Sequence, residues 1–229
     1  MRKMESLRPG VFAIERATDD DIRWIAEIEG RHYSDDAIAE SVLKNWKACN
    51  QNGFFVLKFD GIRIGHIDLL AIKDRVFELF CDGKIREADI PQTELYKADE
   101  KEEIRNIYVE SIIIDPPVEY EGYGKDGSAL KFVLSQFLWM VCEIAVPENL
   151  SYVYAIAASG AGQKLLKLLG FRIVRGGNER EDHHDLYKVG FADLAGRICR
   201  IAGNRIRCSD RRRIDGIIQK AQQRGFELI

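Results

Sequence analysis

The chain has 229 residues, 46% of them hydrophobic and 31% charged, with a formal net charge of −3. That length supports one sizeable core, or one domain with an extension, and the near-balanced charge gives no overall reason to expect nucleic acid as a partner. The five cysteines are odd in number and include no CxxC pair, so they read as free thiols; with no apolar leader and no apolar run long enough for a bilayer, the expected setting is the cytoplasm, off the membrane.

Phe12–Arg16 alternates apolar and polar residues and reads as a short strand. Thr18 then caps a helix whose first turn carries Asp19, Asp20 and Asp21, where the helix dipole favours acids. Ile22, Ile25, Ala26 and Ile28 give that helix a buried face. Ser34 is expected to open a second helix, with Ile38, Val42, Leu43 and Trp46 at helical spacing.

Gly53–Phe59 and Ile62–Ile72 read as a hairpin closed by Asp60-Gly61, a favoured two-residue turn. The stretch Lys73–Arg105 is mixed and charged and is expected to be an insertion. Arg75–Cys81 predicts a helical turn, Gly83 its end and Ile85–Ile90 a short strand. Asn106–Asp115 is β-branched and apolar, the pattern of a buried central strand, and Pro116-Pro117 stops it.

A glycine-rich loop follows, EYEGYGKDGSA, and then a helix with Leu130, Val133, Leu134, Phe137, Leu138 and Val141 on its apolar face. Tyr152–Ala157 predicts another strand, and Ser159 leads a short helix closed by Gly170. Phe171–Val174 and Leu186–Val189 predict a final hairpin. Two helices complete the chain. Phe191–Ile201 forms one. Ser209 caps the other, which carries Ile214, Ile217, Ile218 and Ala221 and ends at Gly225. From Gly190 onward there are nine Lys/Arg and four Asp/Glu, a net of +5, which leaves −8 on the preceding part.

Strand, proline stop, glycine-rich loop and long helix make a phosphate-cradling arrangement. Glycines let backbone N–H groups approach a pyrophosphate, and the helix start adds positive partial charge. The Walker pattern is absent, and an antiparallel hairpin precedes the loop where a dinucleotide fold would have a βαβ unit.

In this context the order of elements from about Phe12 to Val189 resembles the GNAT N-acyltransferases. Ile112-Ile113-Ile114-Asp115-Pro116 is similar to that family's fourth strand, Glu119-Tyr120-Glu121-Gly122-Tyr123-Gly124 matches the spacing of its [Q/R]-x-x-G-x-[G/A] loop, and Ser159 to Gly170-Phe171 is similar to the segment that borders the acyl-CoA groove. The resemblance implies an α/β GNAT-like acyl-CoA N-acyltransferase fold. Its sheet is mixed but largely antiparallel and flanked by helices, over residues 1–190, with an insertion at about 73–105 and a basic helical C-terminal extension over 191–229.

The resemblance further implies that the fourth and fifth strands diverge beyond a bulge near the end of the fourth, that acetyl-CoA or another acyl-CoA lies in the gap, and that an amine acceptor attacks directly, without a covalent enzyme intermediate. Ile112, Ile113 and Ile114 then contact the pantetheine arm. Gly122, Tyr123, Gly124, Lys125, Gly127 and Ser128 take the pyrophosphate, and Ser159 borders the groove. A second register of the loop centres on Gly124 and Gly127. The sequence departs from the family pattern at Glu119 and Glu121, acids where phosphate approaches, and at Leu166, where many members carry a tyrosine that protonates the thiolate.

Glu110 is the candidate general base. Strict alternation places Tyr108, Glu110 and Ile112 on one face and Val109, Ser111 and Ile113 on the other. His66 and Asp68 on the adjacent strand are further candidates, and Tyr152 and Tyr154 are candidate proton donors. No metal is expected, since the adjacent His183 and His184 point opposite ways along a strand. The acceptor is expected to be an amine on a small molecule or a protein. The tail is expected to pack on the body or in a homodimer. RNA, through Arg205, Arg207 and Arg211–Arg213, is a less favoured partner, and a non-catalytic CoA-binding or scaffold module is the alternative to an enzyme.

Overall fold

The computed structural model describes residues 10–116, 127–203 and 208–223. Among the described residues seven strands form one sheet: β1 (Phe12–Arg16), β2 (Phe54–Phe59), β3 (Ile62–Leu70), β4 (Asn106–Ile114), β5 (Tyr152–Ile156), β6 (Arg172–Arg175) and β7 (Leu186–Gly190). Their spatial order is β1-β2-β3-β4-β5-β7-β6. Among the described residues only β4 and β5 pair in parallel, so the sheet is mixed and largely antiparallel, as the resemblance implies.

Helices cover both faces. On one side lie α1 (Asp19–Tyr33), α2 (Glu40–Cys49) and α3 (Asp74–Cys81), which bury Ile22, Ile25, Leu43, Trp46, Phe77 and Phe80 against the sheet. On the other lie α4 (Ser128–Ile144), α5 (Gly160–Leu168), α6 (Phe191–Ala202) and α7 (Cys208–Gln223). Val133, Phe137, Val141, Leu166, Phe191, Ile198, Ile214 and Ile217 share the core on this side. Two apolar layers sandwiching one sheet bury strands on both faces, which is why β2 is almost wholly apolar and β3 is buried without a break from Ile64 to Leu70.

Local chemistry explains most of the boundaries. Asp60 and Gly61 both take positive φ, 49° and 82°, the geometry a two-residue hairpin loop needs. Thr18 caps α1 in a reciprocal box with Asp21. Ser159 caps α5, its Oγ accepting from the Gly162 amide at 3.0 Å.

Two expectations fail. Ser34 takes a positive φ of 52° and opens only a 3-10 turn, Ser34–Asp36; α2 starts at Glu40, after an extended Ala39. The segment Ile85–Ile90 is not a strand. It holds a 3-10 turn at Glu87–Asp89, and Ile90 is buried against α2, where the Trp46 indole donates to its carbonyl at 2.9 Å. That contact joins positions 44 residues apart, which no local pattern announces.

Candidate functional site

β4 and β5 are paired from Asn106↔Tyr152 to Val109↔Ala155 and no further. Beyond Val109, β4 follows β3 alone, and Ile156 of β5 pairs with Leu186 of β7. The two strands therefore part like the arms of a V. The register of β3 against β4 slips between Asp68/Ser111 and Leu69/Val109, leaving Glu110 as the extra residue. This is a β-bulge, and it lies where the strands part.

The bulge corrects the expected faces. Two residues of β4, Glu110 and Ser111, now precede the change of side. The Ser111 hydroxyl meets the phenol of Tyr33 on α1 at 3.1 Å, while Ile112 packs against the core on the α4 side. Glu110 and Ile112 thus point to opposite faces, where strict alternation places them together.

The gap between the arms is a cleft of about 410 Å³, a size typical of small-ligand sites. Its walls include Glu110, Ile112, Ile113 and Ile114 from β4, Ala157 and Ser159 after β5, Leu165 and Leu166 from α5, and His32 and Tyr33 from the end of α1. The Asp115 amide donates to the Ile64 carbonyl at 2.8 Å, toward β3. Backbone groups alternate along a strand, so the N–H and C=O of Ile112 and Ile114 point the other way, toward the gap. Leu130 also reaches the cleft. The first turn of α4, with Gly127 at its N-cap in the left-handed region and no acid among its first residues, therefore opens beside it. Of the residues the sequence singled out, the structure gathers Glu110, Ile112, Ile113, Ile114 and Ser159 around one space and sets Gly127 and Ser128 at the adjacent helix start. Gly122, Tyr123, Gly124 and Lys125, with Glu119 and Glu121, lie outside the described residues.

The α1 side of the cleft is acidic and dry. Glu29, His66 and Asp68 are fully buried, and Glu110 Oε2 and Glu87 Oε1 are also shut off from solvent without a hydrogen-bond partner among the described residues. Burial first, then the charges of Glu29, Glu87 and Asp68, push the Glu110 carboxyl well above its ordinary range. Burial does most to raise Glu29 to about 9 and Glu87 to about 8. Asp68 is raised by burial against the opposing pull of His66. The Tyr33 phenol is raised as well, chiefly by burial, and so keeps its proton at neutral pH.

Tyr33 and His32 were not singled out from the sequence. His32 Nε2 stands 3.2 Å from Asp115 Oδ2, and Tyr33 meets Ser111 across 78 positions of chain; no local spacing reveals either. Leu166 lines the cleft with an apolar side chain. Tyr154 packs edge-on to Phe77, ring centroids 4.8 Å apart, and Tyr152 lies under the Lys188 ammonium at 4.3 Å. His184 pairs with Asp36 at 3.2 Å, and His183 is an isolated positive-φ residue. In the tail, Arg213 forms a two-pronged pair with Glu148 at 2.8 and 2.9 Å.

Comparison with known proteins gives the fold its name. No family model matches the sequence, and no curated protein does. Solved structures do match. The loading GNATL domain of CurA from Lyngbya majuscula is 13% identical with a TM-score of 0.52, covering 79% of this chain and 98% of that one. An uncharacterized protein from Bacillus halodurans is 12% identical with a TM-score of 0.52, over 86% and 93%. The GphF GNAT-like decarboxylase, in complex with isobutyryl-CoA, is 15% identical with a TM-score of 0.50, over 78% and 99%. The chain has the GNAT fold. Among the described residues no helix is long and apolar enough to cross a membrane.

Proposed function

Proceeding from the GNAT fold, we propose that the protein is an acyl-CoA-dependent N-acyltransferase, with acetyl-CoA as the natural first donor and an amine as acceptor. The observation that carries this reading is the opening of β4 from β5 at the Glu110 bulge, which turns unpaired main-chain groups of Ile112 and Ile114 into an apolar cleft. Those groups suit the amide-rich pantetheine arm, and an N–H at that edge is placed to stabilise a thioester oxygen as it gains charge. The first turn of α4 offers further amides for a phosphate. The GphF structure carries an acyl-CoA on the same fold, which supports this class of donor.

A bound thioester supplies the activated acyl carbon, and the chain's own residues handle position and protons. Glu110, on the bulge, accepts the proton of the attacking ammonium. Its raised affinity for protons brings it closer to the acceptor's own and makes it a better base, provided it is ionised at the working pH. Tyr33 stands in the same cleft with its proton retained. It is the group we assign to the leaving thiolate, in place of the tyrosine that Leu166 replaces.

The test is acetyl transfer from labelled acetyl-CoA to a panel of amines and proteins, with CoA binding measured separately by calorimetry. Glu110→Gln is expected to lower kcat/KM by about 10²–10³-fold while leaving acetyl-CoA affinity unchanged. The acid limb of the wild-type pH profile should lie above the ordinary glutamate range and vanish in the variant. Binding without transfer to any amine would leave a CoA-binding module. Absence of acetyl-CoA binding would defeat the reading altogether.

A further inference from the structure

We propose that His66 Nε2 and the Glu29 carboxylate bind a divalent first-row transition-metal ion in a buried site beside the cleft, with Asp68 holding the His66 ring in place. The site is built from residues on β3 and α1 and takes no part in holding the thioester.

His66 and Asp68 are two apart on β3 and share its α1 face, and Glu29 comes down from α1 to meet them. All three side chains are 0% exposed. His66 Nδ1 lies 2.9 Å from Asp68 Oδ2. With the ring proton placed on that bond, Nε2 presents its lone pair on the opposite edge of the ring. Nε2 faces Glu29 Oε1 at 3.8 Å, beyond hydrogen-bond range. Nε2 and the Glu29 carboxyl thus face each other in the buried interior, and an ion binding there would displace the proton that burial holds on Glu29. Nε2, both oxygens of Glu29 and Asp68 Oδ1 have no hydrogen-bond partner among the described residues. The Ile38 amide lies near enough to Glu29 to favour its charge, but not in ordinary hydrogen-bond geometry.

Buried polar atoms left unpaired in this number are rare, and they converge here. The donor atoms of Glu29, His66 and Asp68 all lie within 4.8 Å of one another. An ion about 2.0–2.2 Å from a nitrogen and an oxygen bridges up to about 4.4 Å, which takes in the 3.8 Å between Nε2 and Glu29 Oε1. Imidazole plus carboxylate is a donor set for Zn²⁺, Co²⁺, Fe²⁺ or Mn²⁺. A carboxylate on the far nitrogen of a ligating histidine is the usual outer support of such ions. Glu87 bears electrostatically on both Glu29 and Glu110, so the acids around the site are linked.

Trp24 supplies a reporter, since its ring stands edge-on to His66 with centroids 6.4 Å apart. The full-length protein, stripped with a chelator and free of acyl-CoA, is titrated with Co²⁺. The expected result is one ion per chain, visible d–d absorption, and quenching of emission that Trp24→Phe removes. Tm should rise by about 5–10 °C at roughly a hundredfold excess over Kd. Zn²⁺ should displace the cobalt signal. His66→Gln and Glu29→Gln should each weaken binding at least a hundredfold, and Asp68→Asn by about 10–100-fold. If wild-type protein binds none of Co²⁺, Zn²⁺ or Mn²⁺ at about 1 mM, the site is refuted without reference to any variant. Binding that survives both His66→Gln and Glu29→Gln refutes it equally. Either failure leaves the acyltransfer reading intact, because no thioester takes part.

Discussion

At the start of α1, Asp21 serves three partners at once. Its Oδ2 accepts from the Thr18 amide at 2.7 Å, its own amide donates to the Thr18 hydroxyl at 3.2 Å, and its Oδ1 meets Arg63 of β3 at 2.6 Å. Burial pushes this carboxyl up, but Thr18, Arg63 and Lys58 outweigh burial and hold it below its ordinary range. A lowered value means that the stabilisation is present above the unfolded pKa and is lost as pH falls through the folded one. Asp21→Asn should therefore cost about 1 kcal/mol at pH 7, roughly 2–4 °C in Tm. The gap between wild type and variant should close below about pH 4. A thermal melt series over pH checks this, and a gap that stays constant on acidification counts against it. The capping residues could be read from the TxxD spacing alone, as could Glu110 on its apolar strand. The pairing of Tyr33 with Ser111 could not, since it depends on where α1 crosses β4.

The β3–β4 pair is the element on which the cleft depends. A Cβ built at Gly65 would come within 2.3 Å of the Ile113 carbonyl oxygen and 3.1 Å of Ile114 Cα, so only glycine admits this approach without moving β4. Gly65→Ala should displace the Ile112–Ile114 edge, cost about 2 kcal/mol and weaken acetyl-CoA binding. Gly30→Ala in α1, where nothing lies within 4 Å of the new methyl, is the control. It should be neutral or stabilising by up to about 1 kcal/mol, with binding unchanged. Equal effects from the two would disconnect the close approach from the cleft. Strand identity followed from hydrophobic period and turn chemistry, and the resemblance supplied the mixed sheet and a bulge near the end of the fourth strand. The residue pattern itself does not reveal the bulge, because one extra residue leaves the apolar pattern of Asn106–Ile114 intact while reversing the face of everything beyond it. The start of α2 was misplaced for a related reason: Ser34 has the chemistry of a cap, but its positive φ turns the chain into a 3-10 turn before a helix can begin.

Across the whole molecule, the C-terminal helices are tied into the body by main chain and core alike. Gly190 is both the last residue of β7 and the N-cap of α6, with no linker between, and the Phe191 amide donates to the Ser151 carbonyl at 2.9 Å. Phe191, Leu194 and Ile198 of α6 and Ile214 and Ile217 of α7 lie in the same apolar cluster as Val133 and Phe137 of α4 and Ala155 of β5. The basic composition of the tail foreshadowed none of this; its spacing of isoleucines did, since Ile214 and Ile217 are the buried members. A continuous core should melt as a unit. Ile217→Asp places an unpaired charge in that cluster, so it should lower the main unfolding transition by roughly 3 kcal/mol. The loss of α7 should not show as a separate step at lower temperature. Calorimetry decides between these outcomes. A main transition unchanged from wild type, preceded by a small independent one, would mean that α7 rests on the body without contributing to its cohesion. A single lowered transition would mean that the wall of the cleft formed by α4 and β5 depends on residues more than sixty positions downstream.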